Sequence, residues 1–208
     1  FGVDNDEDIA RTLAMFGAFT EGLAHGEEGL RMAEAVDHPH SLIVAYHDIG
    51  RVYLHKGVLH QAIPCLERGL EVCRVWDIPR LLYLVSSALG YAYVLSGQVS
   101  DALPLLEASA STAAMEFVRA RVHVWLSEAY LRLGRLDEAL AVAVRSLEFC
   151  RAHAQQGEQA WALRLLGEIA AHGDPPQVEL AKDYYRQALA LAEELGMRPL
   201  LAHCHYGL

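Results

Sequence analysis

Apolar residues recur at three- and four-residue intervals along almost the whole chain, with polar positions between them. That spacing gathers the apolar side chains into one stripe on a helix. Ile9, Leu13 and Phe16 form the first such stripe, and Leu23, Leu30 and Val36 the second. From Asp6 to Leu208 the helical period is interrupted only by short segments rich in glycine or proline. The pattern predicts an all-α chain.

The interruptions keep time. Ile49-Gly50, Tyr53, Gly57 and Ala62 return forty residues later as Leu89-Gly90, Tyr93, Gly97 and Ala102, and then, three residues early, as Leu126-Ser127, Tyr130, Gly134 and Ala139. Asp37-His38-Pro39 and Asp77-Ile78-Pro79 are spaced alike, and the residue before a proline resists the α conformation. A large residue beside a small one, an aromatic one turn later, then glycine and alanine, suits two antiparallel helices that approach closely. The expected fold is a right-handed superhelical solenoid of antiparallel helix hairpins. It is expected to run as one unit over residues 1–208, with approximate repeats 1–42, 43–82, 83–119, 120–159 and 160–201 and a truncated sixth at 202–208.

Local signals place the boundaries. Thr20, Ser100 and Asp137 are the expected N-caps of second helices, and Pro64 and Pro104 the expected fourth helical residues, where proline removes at most the first ladder bond. The three-residue contraction falls around Met115 to Phe117, and Gly173 to Gln177 form an enlarged turn. Leu208 falls in register with Ile49, so the sixth repeat is expected to be cut mid-helix, and the missing initiator Met predicts a fragment. A stacking surface left open in this way is expected to find a second copy, giving a weak homodimer through the truncated C-terminal end.

Composition narrows the partners. With 17 basic against 27 acidic residues and a net charge of −10, the chain lacks the Lys and Arg density that phosphate neutralisation needs, so no nucleic-acid partner is expected. The uncharged run Leu81 to Leu95 is 15 residues long and reads as a central helix covered by neighbours, so no membrane partner is expected. Phe1 to Asp8 are acidic and carry no secretion signal, and Cys65, Cys73, Cys150 and Cys204 form no CxxC pair; both point to a cytoplasmic protein with buried thiols.

Leu89-Gly90-x-x-Tyr93 with Gly97, Ala102 and a proline boundary resembles the tetratricopeptide repeat, here in its longer-period variety. The segments Trp161 to Ala170 and Gly196 to His205 are similar to the C-terminal repeats of bacterial multidomain regulators that carry a signal-transduction ATPase and often a nucleotide cyclase. The resemblance implies a protein-interaction or regulatory scaffold within a larger signalling protein. It also implies that first helices line the concave surface, where His47, Arg51, Ser87, Tyr91, Arg121, Val124, Glu128, Arg164 and Glu168 would face a bound peptide. The alternative it implies is a sensor for a small-molecule inducer, coupled to the ATPase. The clamp that some relatives use for a C-terminal carboxylate needs Lys and Asn at such positions, and these residues do not supply it.

Chemistry of other kinds finds little footing. Residues one or two apart on a helix point to different faces, so neither His47-Asp48 nor His203-Cys204-His205 is expected to converge on a metal ion. A weaker enzyme reading would combine His47, Arg51 and Glu128. The sequence has no phosphate-binding GxxxxGK loop, no HExxH and no nucleophile elbow, so no catalytic residues, no cofactor and no metal are expected.

Overall fold

The computed structural model describes residues 3–112 and 118–208. The Met115 to Phe117 contraction lies outside the described residues. Eleven helices stand in the described residues, which contain no strand. The chain divides into two compact units, Phe1–Ala114 and Met115–Leu208. The first holds α1 (Val3–Phe16), α2 (Phe19–Val36), α3 (Pro39–Lys56), α4 (Leu59–Val75), α5 (Pro79–Leu95) and α6 (Val99–Ser111). The second holds α7 (Arg119–Arg132), α8 (Leu136–Ala152), α9 (Gln156–His172), α10 (Val178–Glu194) and α11 (Arg198–Gly207). In each unit consecutive helices pair as antiparallel hairpins, and each hairpin stacks on the next. Among the described residues no helix is long and apolar enough to cross a membrane.

One turn is used again and again. At Gly17, Gly57, Gly97, Gly134 and Gly196 the backbone enters the left-handed region, and Asp37, Asp77 and Ala154 do the same without glycine. The amide of the following residue then reaches back to the carbonyl five residues earlier. Val58 N–H donates to Tyr53 at 2.9 Å, Gln98 to Tyr93 at 2.8 Å, Arg135 to Tyr130 at 2.9 Å and Ile78 to Cys73 at 3.1 Å. This is the Schellman arrangement, which satisfies carbonyls that a helix C-terminus would leave open.

The residue that closes one helix in this way is also the N-cap of the next, and that shifts the expected boundaries. The cap positions are Ala18, Gln98 and Arg135, none with a side-chain capping bond, and Thr20, Ser100 and Asp137 are instead the second residues of their helices. Pro64 and Pro104 therefore stand sixth in α4 and α6, not fourth, and each removes the third ladder bond, not the first. Pro39 and Pro79 open α3 and α5, where a missing N–H costs nothing.

Close approach decides the core. A Cβ added at Gly50 would lie 2.6 Å from Leu66 Cγ, and one at Gly90 would lie 2.9 Å from Leu106 Cγ and 3.3 Å from the Ala102 carbonyl oxygen. The third hairpin with this register has Ser127 in place of glycine and, sixteen residues on, Ala143 in place of leucine. The Ser127 hydroxyl donates to the Ala139 carbonyl at 2.7 Å, the counterpart of the carbonyls at Ala62 and Ala102. In the last full hairpin Gly167 faces Tyr185, whose ring carbons stand 3.0 Å from where a Cβ would be, and Gly207 of α11 clears the other side of the same ring.

In the first hairpin the expected stripe is displaced by one position. Ile9 and Phe16 are exposed, while Ala10 and Ala14 are fully buried against Val52. A Cβ at Gly22 would lie 3.1 Å from the Ala10 carbonyl oxygen, so the helices approach too closely there for large side chains.

The pairing of Gly90 with Leu106 has a measurable consequence. Gly90→Ser alone should be destabilising, because its Cβ meets Leu106, and Leu106→Ala alone should cost about 2–5 kcal/mol. The double variant reproduces the Ser127–Ala143 pair, and in urea denaturation it should cost less than the sum by about 1 kcal/mol or more. Strict additivity would show that the two positions are not coupled.

Candidate functional site

The first helices of the hairpins carry the polar residues expected on a concave face. In the first unit α3 supplies His47 and Arg51, and both are buried, as is Asp48 between them in sequence. His47 Nδ1 lies 2.9 Å from Asp48 Oδ1, so these neighbouring side chains do meet. The sequence-based expectation that adjacent helical residues diverge is corrected here: it holds for convergence on a third atom, whereas an imidazole can still swing back onto the next carboxylate. On α5 the buried Ser87 hydroxyl donates to the Leu84 carbonyl at 2.8 Å within its own helix, and Tyr91 is half-buried.

In the second unit the corresponding residues form a chain of charges. Glu128 on α7 accepts from Arg132 Nη2 at 3.1 Å through one oxygen and from Arg164 Nη2 of α9 at 3.1 Å through the other. Arg164 Nη1 donates onward to Glu168 at 2.8 Å. The Arg164 guanidinium stands 5.7 Å from the centre of the Trp161 ring, which in turn meets the edge of His203 on α11 at 5.5 Å. Arg121 of α7 pairs with Glu158 of α9, joining the same two helices further along. Val124 is buried.

Burial separates this list into two kinds of residue. His47, Arg51, Ser87, Glu128 and Arg164 are all below one-tenth exposed, whereas Tyr91, Arg121 and Glu168 keep part of their surface in water. The residues that keep surface in water on this face of the second unit are thus Arg121, Glu168, the more open Arg132 and the rim formed by Trp161 and His203. Arg132, Trp161 and His203 were not placed on this face from the sequence. For Arg132 the signal was there: Glu128–Arg132 is a four-residue pair of opposite charge, as is Arg164–Glu168. His47 and Arg51 lie in one unit and Glu128 in the other.

Among the described residues no group of three or more His, Cys, Asp or Glu is disposed to hold a metal ion. Cys73, Cys150 and Cys204 are buried, and that desolvation pushes each thiol up to about 11, the wrong direction for a nucleophile. His203, Cys204 and His205 point different ways, with only Cys204 in the core.

Stacked antiparallel hairpins with a small-residue crossing in each define a helical repeat protein. Residues 43–74 and 120–153 match the model of the tetratricopeptide repeat. The solved structures it is similar to include the apo form of RapI (10% identity, 99% of this chain and 80% of that one, TM-score 0.68). They also include a Rap protein complexed with competence and sporulation factor (12%, 99% and 63%, TM-score 0.66). A third is a signal transduction ATPase with numerous domains and a tetratricopeptide repeat sensor from Pyrococcus horikoshii (13%, 99% and 33%, TM-score 0.62). No curated protein matches the sequence.

One imidazole gives the second unit a pH response. Burial, then the Arg145 and Arg119 guanidinium groups, push His123 down from its ordinary value to about 4. The unfolded chain takes up this proton near pH 6.5 and the folded chain only near 4, so the contribution of His123 is fully present above about 6.5 and is lost as pH falls toward 4. Between pH 7 and 4.5 the wild type should lose more stability than His123→Leu, by an amount on the order of 1–2 kcal/mol. Urea midpoints at the two pH values check this, and equal losses would remove His123 as the cause.

Proposed function

We propose that the chain is a protein-interaction module, a scaffold or regulatory segment of a larger signalling protein, and that a peptide or partner segment docks on the first-helix face of the second unit. The observation that carries this reading is the Arg132–Glu128–Arg164–Glu168 chain beneath Trp161. Two of its charges are almost fully buried, and buried ion pairs are weak contributors to stability compared with apolar packing. Their retention beside a part-exposed indole fits a recognition surface, since aromatic and Arg side chains dominate the energetics of interfaces. The charges are balanced on the surface itself, which favours a partner of mixed or neutral character. The similarity to a Rap protein solved with competence and sporulation factor supports a bound partner for this type of fold.

A sensor for a small molecule is the second reading, favoured by the similarity to an ATPase whose repeats are described as a sensor. Selection of peptides from a random library on the intact chain, followed by calorimetry, tests the first. Trp161→Ala and Glu168→Ala should each weaken a selected peptide at least tenfold, while Glu193→Lys on the exposed side of α10 should not change its affinity. Peptides insensitive to both inner variants would move the interaction elsewhere. Arg51→Glu and Arg164→Glu would be poor probes, because both side chains are buried and the changes would perturb the fold itself.

A further inference from the structure

The hairpin α7–α8 carries a second polar feature, away from the face just described. Arg119 and Arg121 are two residues apart on α7, so they stand about 200° apart around its axis. Arg119 and His123 share one stripe, one turn apart. Arg145, Phe149 and His153 form a matching stripe on α8, which runs the other way. The antiparallel pairing brings the Arg119 guanidinium over the Phe149 ring at 5.6 Å from its centre, and the Phe149 ring stacks on His153 at 4.0 Å. At the other end His123 sits within the field of both Arg119 and Arg145.

This cluster lacks the ion pairs that several exposed cations of the chain form. Arg68, Arg132, Arg135, Lys182 and Arg186 each hold a carboxylate one turn away on their own helix. Arg145 has Glu148 at the same spacing, yet no pair forms, and among the described residues no carboxylate pairs with Arg119, His123 or Arg145. The charges that act on His123 are both cationic. Its Nδ1 is shielded from water without a hydrogen-bond partner. In a chain with ten more acidic than basic residues, three such groups gathered on one edge, with no carboxylate paired to them among the described residues, suit an external anion.

We propose that this edge of the α7–α8 hairpin is a docking site for an acidic peptide segment. A peptide fits better than a lone anion because the feature is long. From Arg145 to His153 the stripe climbs two turns of α8, about 12 Å at 1.5 Å per residue, with the Arg145 guanidinium at one end, that of Arg119 over Phe149 at the middle and the His153 ring at the other end. Carboxylates spaced along a peptide meet both guanidinium groups, and its aliphatic stems cover the rings. A single small anion covers only part of that length.

The test titrates the intact chain at pH 7 with a blocked hexaglutamate peptide and follows the side-chain resonances of Arg119, His123 and Arg145 by NMR. The expected result is a saturable shift of all three. Affinity should fall at least tenfold in Arg145→Glu, whose exposed position leaves the urea midpoint near that of the wild type, and should be unchanged in Arg186→Glu on α10. It should also fall steeply with salt. Absence of saturable shifts overturns the proposal, as does equal weakening by Arg186→Glu, which would mark diffuse attraction. Inorganic phosphate that reproduces all three shifts at matched charge concentration would show a small-anion site and overturn the peptide reading.

Discussion

Two helices of a hairpin can lie flat against one another only where one of them presents almost no side chain, and the rest of this fold is arranged around that crossing. Gly50 and Gly90 leave the space that Leu66 and Leu106 fill, both fully buried. The partner's size follows the space left. Where Ser127 brings back a Cβ, the opposite position shrinks to Ala143, and where Tyr185 enlarges the knob, glycine stands on both sides of it, at 167 and 207. Packing at near-crystalline density explains the compensation, because an added methylene in such a contact has nowhere to go.

The crossing needs a turn of constant length to keep it in register, and the Schellman closure supplies one. A left-handed residue followed by a single residue that ends one helix and opens the next leaves no slack between helices. Glycine at 57, 97 and 134 made these turns legible from the sequence. Ala154 did not: its φ of 53° is bought by the bond from Gln155 N–H to the Cys150 carbonyl, and nothing in its identity announces that. The same economy explains why the expected N-caps failed. Thr20, Ser100 and Asp137 look like caps because their side chains can accept an amide proton, but the backbone had already placed the helix start one residue before each of them.

The polar face of the first helices was legible in position but not in depth. Register placed Arg121, Glu128, Arg164 and Glu168 on the first helices of the second unit, and the structure joins them across α7 and α9. Spacing along one helix does not say how deeply a side chain is covered by the helix beside it, so Glu128 and Arg164 were expected to face a ligand and are instead buried. His47 and Asp48 show the same limit from the other side: sequence neighbours were set aside because they cannot share a third partner, yet they bond to each other in the core.

The α7–α8 stripe escaped the sequence for a different reason. Each half of it, Arg119 with His123 and Arg145 with His153, reads as a solvated helix face when taken alone. Only the antiparallel pairing, which sets Arg119 on Phe149 and His123 beside Arg145, turns two ordinary faces into one edge rich in cationic groups. The same crossing governs that pairing. The Ser146 hydroxyl donates to the Ala120 carbonyl at 2.8 Å, as Ser109 does to Tyr83 at 3.1 Å, and both bonds span 26 residues. What fixes the depth of the core therefore also fixes which charges on the hairpin's edge come to face one another.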